Sequence, residues 1–358
     1  MVRTQSDRPP AMRDVAVLAG VSHQTVSRVL NDYPFVRPDT RERVLAAIAE
    51  LGYRRNLAAR ALVTRRSGTV GVLSSGSALF GPTSTLIAIE GAARDAGLFV
   101  SVATLPRWDA DEVAGVLEHF MTEGVDGVVV VAAHDEAIEA VRAFPAAVPI
   151  VMVGPVDLPA PLRSVAVDQY AGGRMAVRHL LQLGHRDVVH LAGPTDWLDA
   201  RRRIAGWHDE LAAAGVTPSD PIPGDWSAGR GYEVGRELIA TGLPTAVFAA
   251  NDLLALGLLR AFAEAGVRVP GDVSVVGFDD VDGSANFFPP LTTVRQDFTT
   301  LGERCLGVLL AAIAEEEAES SGLIAPSLVA RASSGPPGVR RERAPASDAA
   351  GDSRSGSL

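Results

Sequence analysis

Apolar positions follow two regimes along the 358-residue chain. Near the N-terminus they recur at helical spacing. From Met12 onward, Val15, Ala16 and Ala19 fall on one face of a short helix. Gly20 permits a tight turn, and Ser22 stands at the N-cap position of a second helix, His23–Leu30. In that helix Val26, Val29 and Leu30 share an inner face, which leaves His23, Gln24, Ser27 and Arg28 on the other side. Pro38 suits a first helical turn, and a third helix runs from it to Gly52. Beyond Tyr53 comes an alanine-rich stretch from Asn56 past Leu62, too short to be a stable helix alone.

After Arg66 the period changes. β-Branched runs at Thr69–Ser74, Phe99–Thr104, Gly127–Val131 and Pro149–Val153 are followed by a second series at Val188–Ala192, Thr245–Ala249 and Val273–Gly277. Amphipathic segments such as Leu86–Gly97 and Ala171–Leu183 separate them. Such alternation predicts doubly wound parallel sheets. Two series predict two lobes with a cleft between them, and ligands bind at the carboxyl ends of strands in such sheets.

Charge sharpens this picture. The chain carries −10, yet residues 1–66 hold 12 Arg against 6 acids, so the head is +6 and the remainder −16. A basic head on an acidic body is the asymmetry expected when only the head meets phosphate. A helix–glycine turn–helix braced by a third helix is a helix-turn-helix. Its second helix presents side chains to base edges in the major groove, where Gln pairs with adenine and Arg with guanine.

The run Asp14-Val-Ala-Val-Leu-Ala-Gly-Val-Ser-His-Gln-Thr-Val-Ser-Arg-Val-Leu-Asn31 resembles the signature of the LacI/GalR family of transcription regulators along its whole length. The resemblance continues through Leu191-Ala-Gly-Pro194, Arg203-Ile-Ala-Gly-Trp-His208, Gly224-Asp-Trp-Ser-Ala228, Ala250-Asn-Asp252, Ser274–Asp280 and Pro289–Phe298, covering roughly residues 12–331. It implies a mixed α/β protein: a helix-turn-helix domain at 12–55 after a disordered start, a hinge helix at 56–66, and a two-lobed core like that of periplasmic binding proteins. The N-terminal lobe is expected at 67–167 and 297–326, the C-terminal lobe at 168–296 and 327–332, and a disordered tail at 333–358.

The resemblance also implies partners and sites. An operator in double-stranded DNA is expected to meet His23, Gln24, Thr25, Ser27, Arg28 and Asn31, with Asn56, Arg60 and a wedging Leu62 from the hinge. Arg55 replaces the family's proline at the hinge entry. A small sugar, a galactoside as first expectation, is expected to meet Ser75, Arg203, Asn251 and Asp279, with Trp226 stacked on its ring and Phe298 at the lobe crossover. Gly154 and Val131 stand where the family pattern has polar cleft residues, so two hydrogen-bonding partners are missing. A homodimer is expected through Leu253, Phe287 and Phe288 and the Leu253–Leu259 helix. The tail after Arg331 has three prolines and no apolar heptad, which predicts a dimer rather than a tetramer.

Other functions lack their residues. No phosphate loop, dinucleotide fingerprint or His-Glu-x-x-His run is present, so no cofactor, no metal and no enzyme is expected. Cys305 is the single cysteine, which excludes an internal disulfide. No run of about 18 apolar residues occurs, and Met1–Pro10 is polar. A cytoplasmic protein without a secretory signal is therefore expected. A sugar-transport binding protein would share the body but need a signal and no DNA reader. Corepression, activation, and another sugar or a nucleoside as effector remain alternatives within the family.

Overall fold

The computed structural model describes residues 10–54, 66–76, 78–131, 134–154, 158, 162–316 and 322–338. It divides into two units, Met1–Ser67 and Gly68–Leu358. Asn56, Arg60 and Leu62 lie outside the described residues.

The first unit contains α1 (Met12–Ala19), α2 (His23–Leu30) and α3 (Pro38–Leu51), as the periodicity predicts. Gly20 ends α1 at φ 64°, a left-handed conformation that glycine adopts at no steric cost. The Thr25 amide donates to Ser22 Oγ at 3.1 Å, the expected N-cap. Val15, Val26, Val29 and Val44 close a small core with Ala47 and Tyr53, and Arg43 donates to the Ala19 carbonyl, fixing α3 to the turn.

The second unit is built on two five-stranded sheets. The first comprises β1 (Thr69–Ser75), β2 (Phe99–Leu105), β3 (Gly127–Val131), β4 (Ile150–Val153) and β5 (Arg163–Val165), all parallel in the order β2-β1-β3-β4-β5. Helices α4 (Phe80–Asp95), α5 (Ala110–Glu123) and α6 (Asp135–Ala143) connect β1 through β4. The second comprises β6 (Val188–Leu191), β7 (Ala246–Ala249), β8 (Ser274–Asp279), β9 (Thr292–Arg295) and β10 (Ser327–Val329), side by side, with only β10 antiparallel. Helices α7 (Gln169–Gln182), α8 (Leu198–Ala213), α9 (Ala228–Thr241) and α10 (Asp252–Glu264) flank it. The chain crosses between lobes after β5, after β9 into α11 (Phe298–Ile313), and again before β10. At the first and third crossings Ile324 pairs with Ala166 and Asp168 through backbone hydrogen bonds of 2.9 Å.

Helix α11 buries Leu301, Cys305, Leu306 and Leu309 against β3, β4 and β5, so residues 298–313 belong to the N-terminal lobe. The short strands β5, β9 and β10 carry too few apolar residues for a period-2 signal, and the sequence does not announce them.

One boundary differs from expectation. Residues 333–338, read as part of a disordered tail, are ordered. Ser333 is fully buried, accepts from the Thr292 amide at 2.8 Å and donates to the Val275 carbonyl at 2.6 Å. Composition alone missed this because backbone pairing with β8, Val275 amide to Ser333 carbonyl at 2.8 Å, does not depend on side-chain hydrophobicity. Residues 339–358 lie outside the described residues.

Candidate functional site

On α2, His23, Gln24 and Arg28 are exposed, while Val26 and Val29 are buried beneath them. Arg28 lies over the Tyr33 ring at 5.6 Å. The remaining predicted readers are partly engaged locally. Thr25 Oγ1 is 2.9 Å from Ser22 Oγ, and Asn31 Nδ2 donates to the Ser27 carbonyl at 2.9 Å. The surface of α2 thus offers three exposed polar side chains, His23, Gln24 and Arg28, beside three that sit at or near its ends.

The second predicted site is a cleft between the two sheets, enclosing about 830 Å³ including its open mouth. Ser75, Arg203, Trp226, Asn251, Asp279 and Phe298 all line it, so the structure brings every predicted ligand residue to one place. Strand ends do this: Ser75 ends β1, Val131 ends β3, Gly154 follows β4, Asn251 follows β7 and Asp279 ends β8.

Arg203 is nearly fully buried on α8. Its Nε donates to Gln169 Oε1 at 3.0 Å, its Nη1 to the Ala250 carbonyl, and its Nη2 lies 3.8 Å from Asp279. Gln169 Nε2 donates to Gln296 Oε1 at 2.7 Å, and Gln296 Nε2 donates to Asp279 Oδ1 at 2.7 Å. Four buried side chains therefore close a ring. Burial pushes the Asp279 carboxyl up to about 7, against the opposing pull of Arg203. Burial likewise lowers the Arg203 guanidinium. Asp279 sits at φ 109°, a strained conformation for a residue with a side chain.

Trp226 is both a core and a cleft residue. It is 6% exposed, packs in the C-terminal lobe's core, and faces Trp197 edge-on at 5.7 Å. A Cβ at Gly193 would overlap its ring, so glycine there is what seats the indole. Among the described residues its buried Nε1 has no hydrogen-bond partner. Asn251 is largely spent on structure: its Oδ1 accepts from the Leu254 amide as N-cap of α10, and its Nδ2 donates to the Trp226 carbonyl. Phe298 meets Phe80 edge-on at 5.7 Å. Asp280 points away from the cleft, clasped by Arg295 at 2.6 Å and Arg331 at 2.7 Å. Asp252, beneath the cleft, accepts from Ser284, Thr293 and the Val281 amide, a structural role.

Sequence reasoning missed Gln169, Gln296, Trp197, Asp199, His134 and Phe80, which also line the cleft. Two had a signal. Gln296 lies inside the Pro289–Phe298 motif, and Asp199 precedes Arg203 by one helical turn. His134 and Trp197 come from different lobes and pair only in three dimensions, forming a backbone bridge with rings 4.6 Å apart. Beside them Asp135 accepts two hydrogen bonds from Arg201 at 2.8 and 2.9 Å.

Of the expected dimer residues, Phe288 is 90% exposed, while Phe287 packs partly on the core. The Leu253–Leu259 helix offers less surface than expected. Leu254, Leu258 and Leu259 are spent on the core, leaving Leu253 and Leu256 to reach outward. Among the described residues no helix is long and apolar enough to cross a membrane, and no group of side chains is arranged to hold a metal.

Comparison with known proteins decides the family. Residues 11–56 match the model of bacterial regulatory proteins of the lacI family, and residues 177–334 match a periplasmic binding protein-like domain. The chain is 37% identical to the lactose operon repressor of Escherichia coli K12 over 90% of both proteins. It belongs to the lacI family. The solved lac repressor dimer bound to operator and the anti-inducer ONPF superposes with a TM-score of 0.81 at 36% identity, covering 92% of this chain and all of that one. The HTH-type transcriptional regulator CelR of Thermobifida fusca is 36% identical over 88% of this chain and 96% of its own. This lacI-family member is thus a DNA-binding transcriptional repressor, with a helix-turn-helix head and a periplasmic-binding-protein-like body. The relatives named here are regulators rather than enzymes.

Proposed function

We propose that this repressor binds a pseudo-palindromic operator as a homodimer and is released from it by a small sugar, a galactoside as the first choice, held in the cleft. The observation that carries the reading is the buried ring of Arg203, Gln169, Gln296 and Asp279 beside Trp226. A guanidinium and a carboxylate facing an aromatic wall suit a molecule with hydroxyls on its rim and an apolar face. The opposite wall, with Leu79, Phe80, Pro82, Val131 and Val153, is apolar and suits an aglycone or the less polar face of a second sugar. Identity with the lactose operon repressor supports the galactoside.

A β-glucoside is the second reading. It is favoured by the likeness to CelR, solved as a cellobiose complex at TM-score 0.68, and by the absence of polar side chains at Val131 and Gly154.

In this reading α2 enters the major groove with His23, Gln24, Thr25, Ser27, Arg28 and Asn31 toward the half-site. Asn56, Arg60 and Leu62 act at the operator centre, a flexible CG-like step. One reading helix covers too few base pairs for specificity, so a dimer is needed, with Leu253, Phe287 and Phe288 in its interface. The test is binding to the DNA upstream of the protein's own gene, titrated with galactosides, β-glucosides and ribose. Release by one sugar class supports the reading; tight specific binding that no sugar changes defeats it.

A further inference from the structure

Each carboxamide of the buried ring is used at both ends. Gln169 Oε1 accepts from Arg203 Nε at 3.0 Å, and Gln169 Nε2 donates to Gln296 Oε1 at 2.7 Å. Gln296 Nε2 donates in turn to Asp279 Oδ1 at 2.7 Å. All four side chains are buried. The sense of this chain is set at its first member. A guanidinium only donates, so Gln169 turns its oxygen to Arg203 and its nitrogen to Gln296. Gln296 is then left with its nitrogen for Asp279. The carboxyl receives an N–H, which favours its ionised form.

The backbone around Gln169 holds it to this task. Gln169 opens α7 directly after the first lobe crossing. Helices α7 and α8 approach backbone to backbone. A Cβ at Gly173, one turn after Gln169, would overlap the Arg203 carbonyl oxygen, and one at Gly206 the Tyr170 carbonyl oxygen. Two glycines therefore admit the close approach that brings Gln169 to Arg203. Gln296 leaves β9 at the second crossing, 127 residues away, so the bond between the two amides forms only when both crossings are in place. Both polar atoms of Gln169 are engaged by other side chains, which suits a role exerted through neighbours.

We propose that Gln169 is a positioning residue for effector recognition: it holds the Arg203 guanidinium and, through Gln296, turns an N–H toward Asp279, so that both charged groups meet the effector in one fixed arrangement. This rests on the sugar reading above and deepens it. Without Gln169, Gln296 is free to present its oxygen to Asp279, an arrangement that requires the carboxyl to hold its proton. The charged and titratable groups around Asp279 are Arg203 and Asp199 on α8 and Asp252 on α10. Asp280, next in the chain, is turned to Arg295 and Arg331. Loss of Gln169 thus moves the ionisation of Asp279 upward from about 7.

The experiment uses the full chain with Gln169→Met, which removes both bonds, and Gln169→Glu, which keeps an acceptor for Arg203 but cannot donate to Gln296. The first readout needs no ligand. Below pH 6 Asp279 is protonated with or without Gln169, and the Tm difference between variant and unsubstituted protein reports only lost bonds. A higher ionisation point in the variants makes this difference widen between pH 6 and 8.5, by about 3 °C, and the widening is absent when Asp279→Asn is present in both partners of the comparison. A difference of the same size at every pH overturns the proposal, because Gln169 is then merely structural. The second readout is tryptophan fluorescence titrated with o-nitrophenyl β-galactoside and with cellobiose. For a saccharide that the unsubstituted protein binds, the pH at which affinity is half lost is expected to rise by about one unit in both variants, an affinity about fivefold lower at pH 7. Unchanged affinity, or a loss that is equal at every pH, overturns the proposal and leaves the sugar reading intact. Failure of the unsubstituted protein to bind either saccharide overturns the sugar reading alone, since the Tm comparison decides the role of Gln169 without a ligand.

Discussion

Asp135 and Arg201 face each other across the cleft mouth, a carboxylate from the N-terminal lobe accepting two hydrogen bonds from a guanidinium of the C-terminal lobe at 2.8 and 2.9 Å. Both side chains are about half exposed, so solvent screens the pair and its contribution to stability is small, about 0–1 kcal/mol. Its position matters more than its strength, because it joins the lobes beside the His134–Trp197 pair that lines the cleft. Asp135→Asn and Arg201→Gln should leave the thermal unfolding curve within that range and shift effector affinity by no more than about fivefold. Raising the salt concentration should shrink the difference. Fluorescence titration at two ionic strengths measures it, and a salt-independent effect would show that the contact is more than an exposed ion pair.

Stability should fall on mild acidification because of His190. Its Nδ1 donates to the Phe248 carbonyl at 2.9 Å, its Nε2 has no partner among the described residues, and burial lowers it to about 4. Above the unfolded value of about 6.5 the ring is neutral folded or unfolded, and the contribution is complete. As pH falls below 6.5 the unfolded chain takes up a proton that the folded one refuses. The loss grows until about pH 4, where it levels off at about 3 kcal/mol. Denaturant titrations between pH 7.5 and 4 check this, with His190→Gln expected to flatten the curve in that window.

The C-terminal segment should matter up to residue 338 and not beyond it. Removing 339–358 should leave the midpoint of urea unfolding unchanged. Removing 332–358 strips the bonds of Ser333 to Thr292 and Val275, and those of Ser334 and Gly335 to His179 and His185. That deletion should cost at least about 2–3 kcal/mol, since buried donors and acceptors lose their partners.

Arg28→Ala should weaken operator binding by about 1–3 kcal/mol and relax preference at one base pair. Competition with single-base operator variants is the measurement. Uniform weakening across all variants would place Arg28 on phosphate instead.

Asp279→Asn keeps an acceptor for Gln296 but removes the charge beside Arg203. Operator binding should persist while the response to effector falls by at least about tenfold. In the unsubstituted protein effector affinity should drop as pH falls below about 7, because a hydroxyl donates better to the ionised carboxylate. The Asn variant should show no such slope.

The long elements were legible in the chain. Helices α1 to α3 and the central strands bury faces that keep a fixed period, as at Val15, Ala16 and Ala19 or Gly127–Val131, and the period survives in one dimension. Most of the predicted cleft residues were legible because they sit in motifs of fixed spacing, Asn251 and Asp279 at strand ends and Arg203 on α8. What stayed hidden depends on non-local pairing. His134 meets Trp197, Gln169 meets Gln296 127 residues away, and Ser333 pairs with Val275. Nothing near Gln169 in the sequence marks it as a cleft residue, and its role exists only once the second lobe is in place.

The ring of Gln169, Gln296, Asp279 and Arg203 has a consequence for how such a regulator can diverge. Gln169 stands just past the first lobe crossing and Gln296 just before the second, so two of the four side chains of the proposed ligand site also join the two crossings. A substitution within the ring alters recognition and the lever together, and a variant that gained a new effector there would forfeit its response. Retuning for a different sugar is channelled instead to wall positions outside the ring, among them Val131, Gly154, Trp197 and Asp199, where the signal recognised can change while the means of transmitting it is inherited intact.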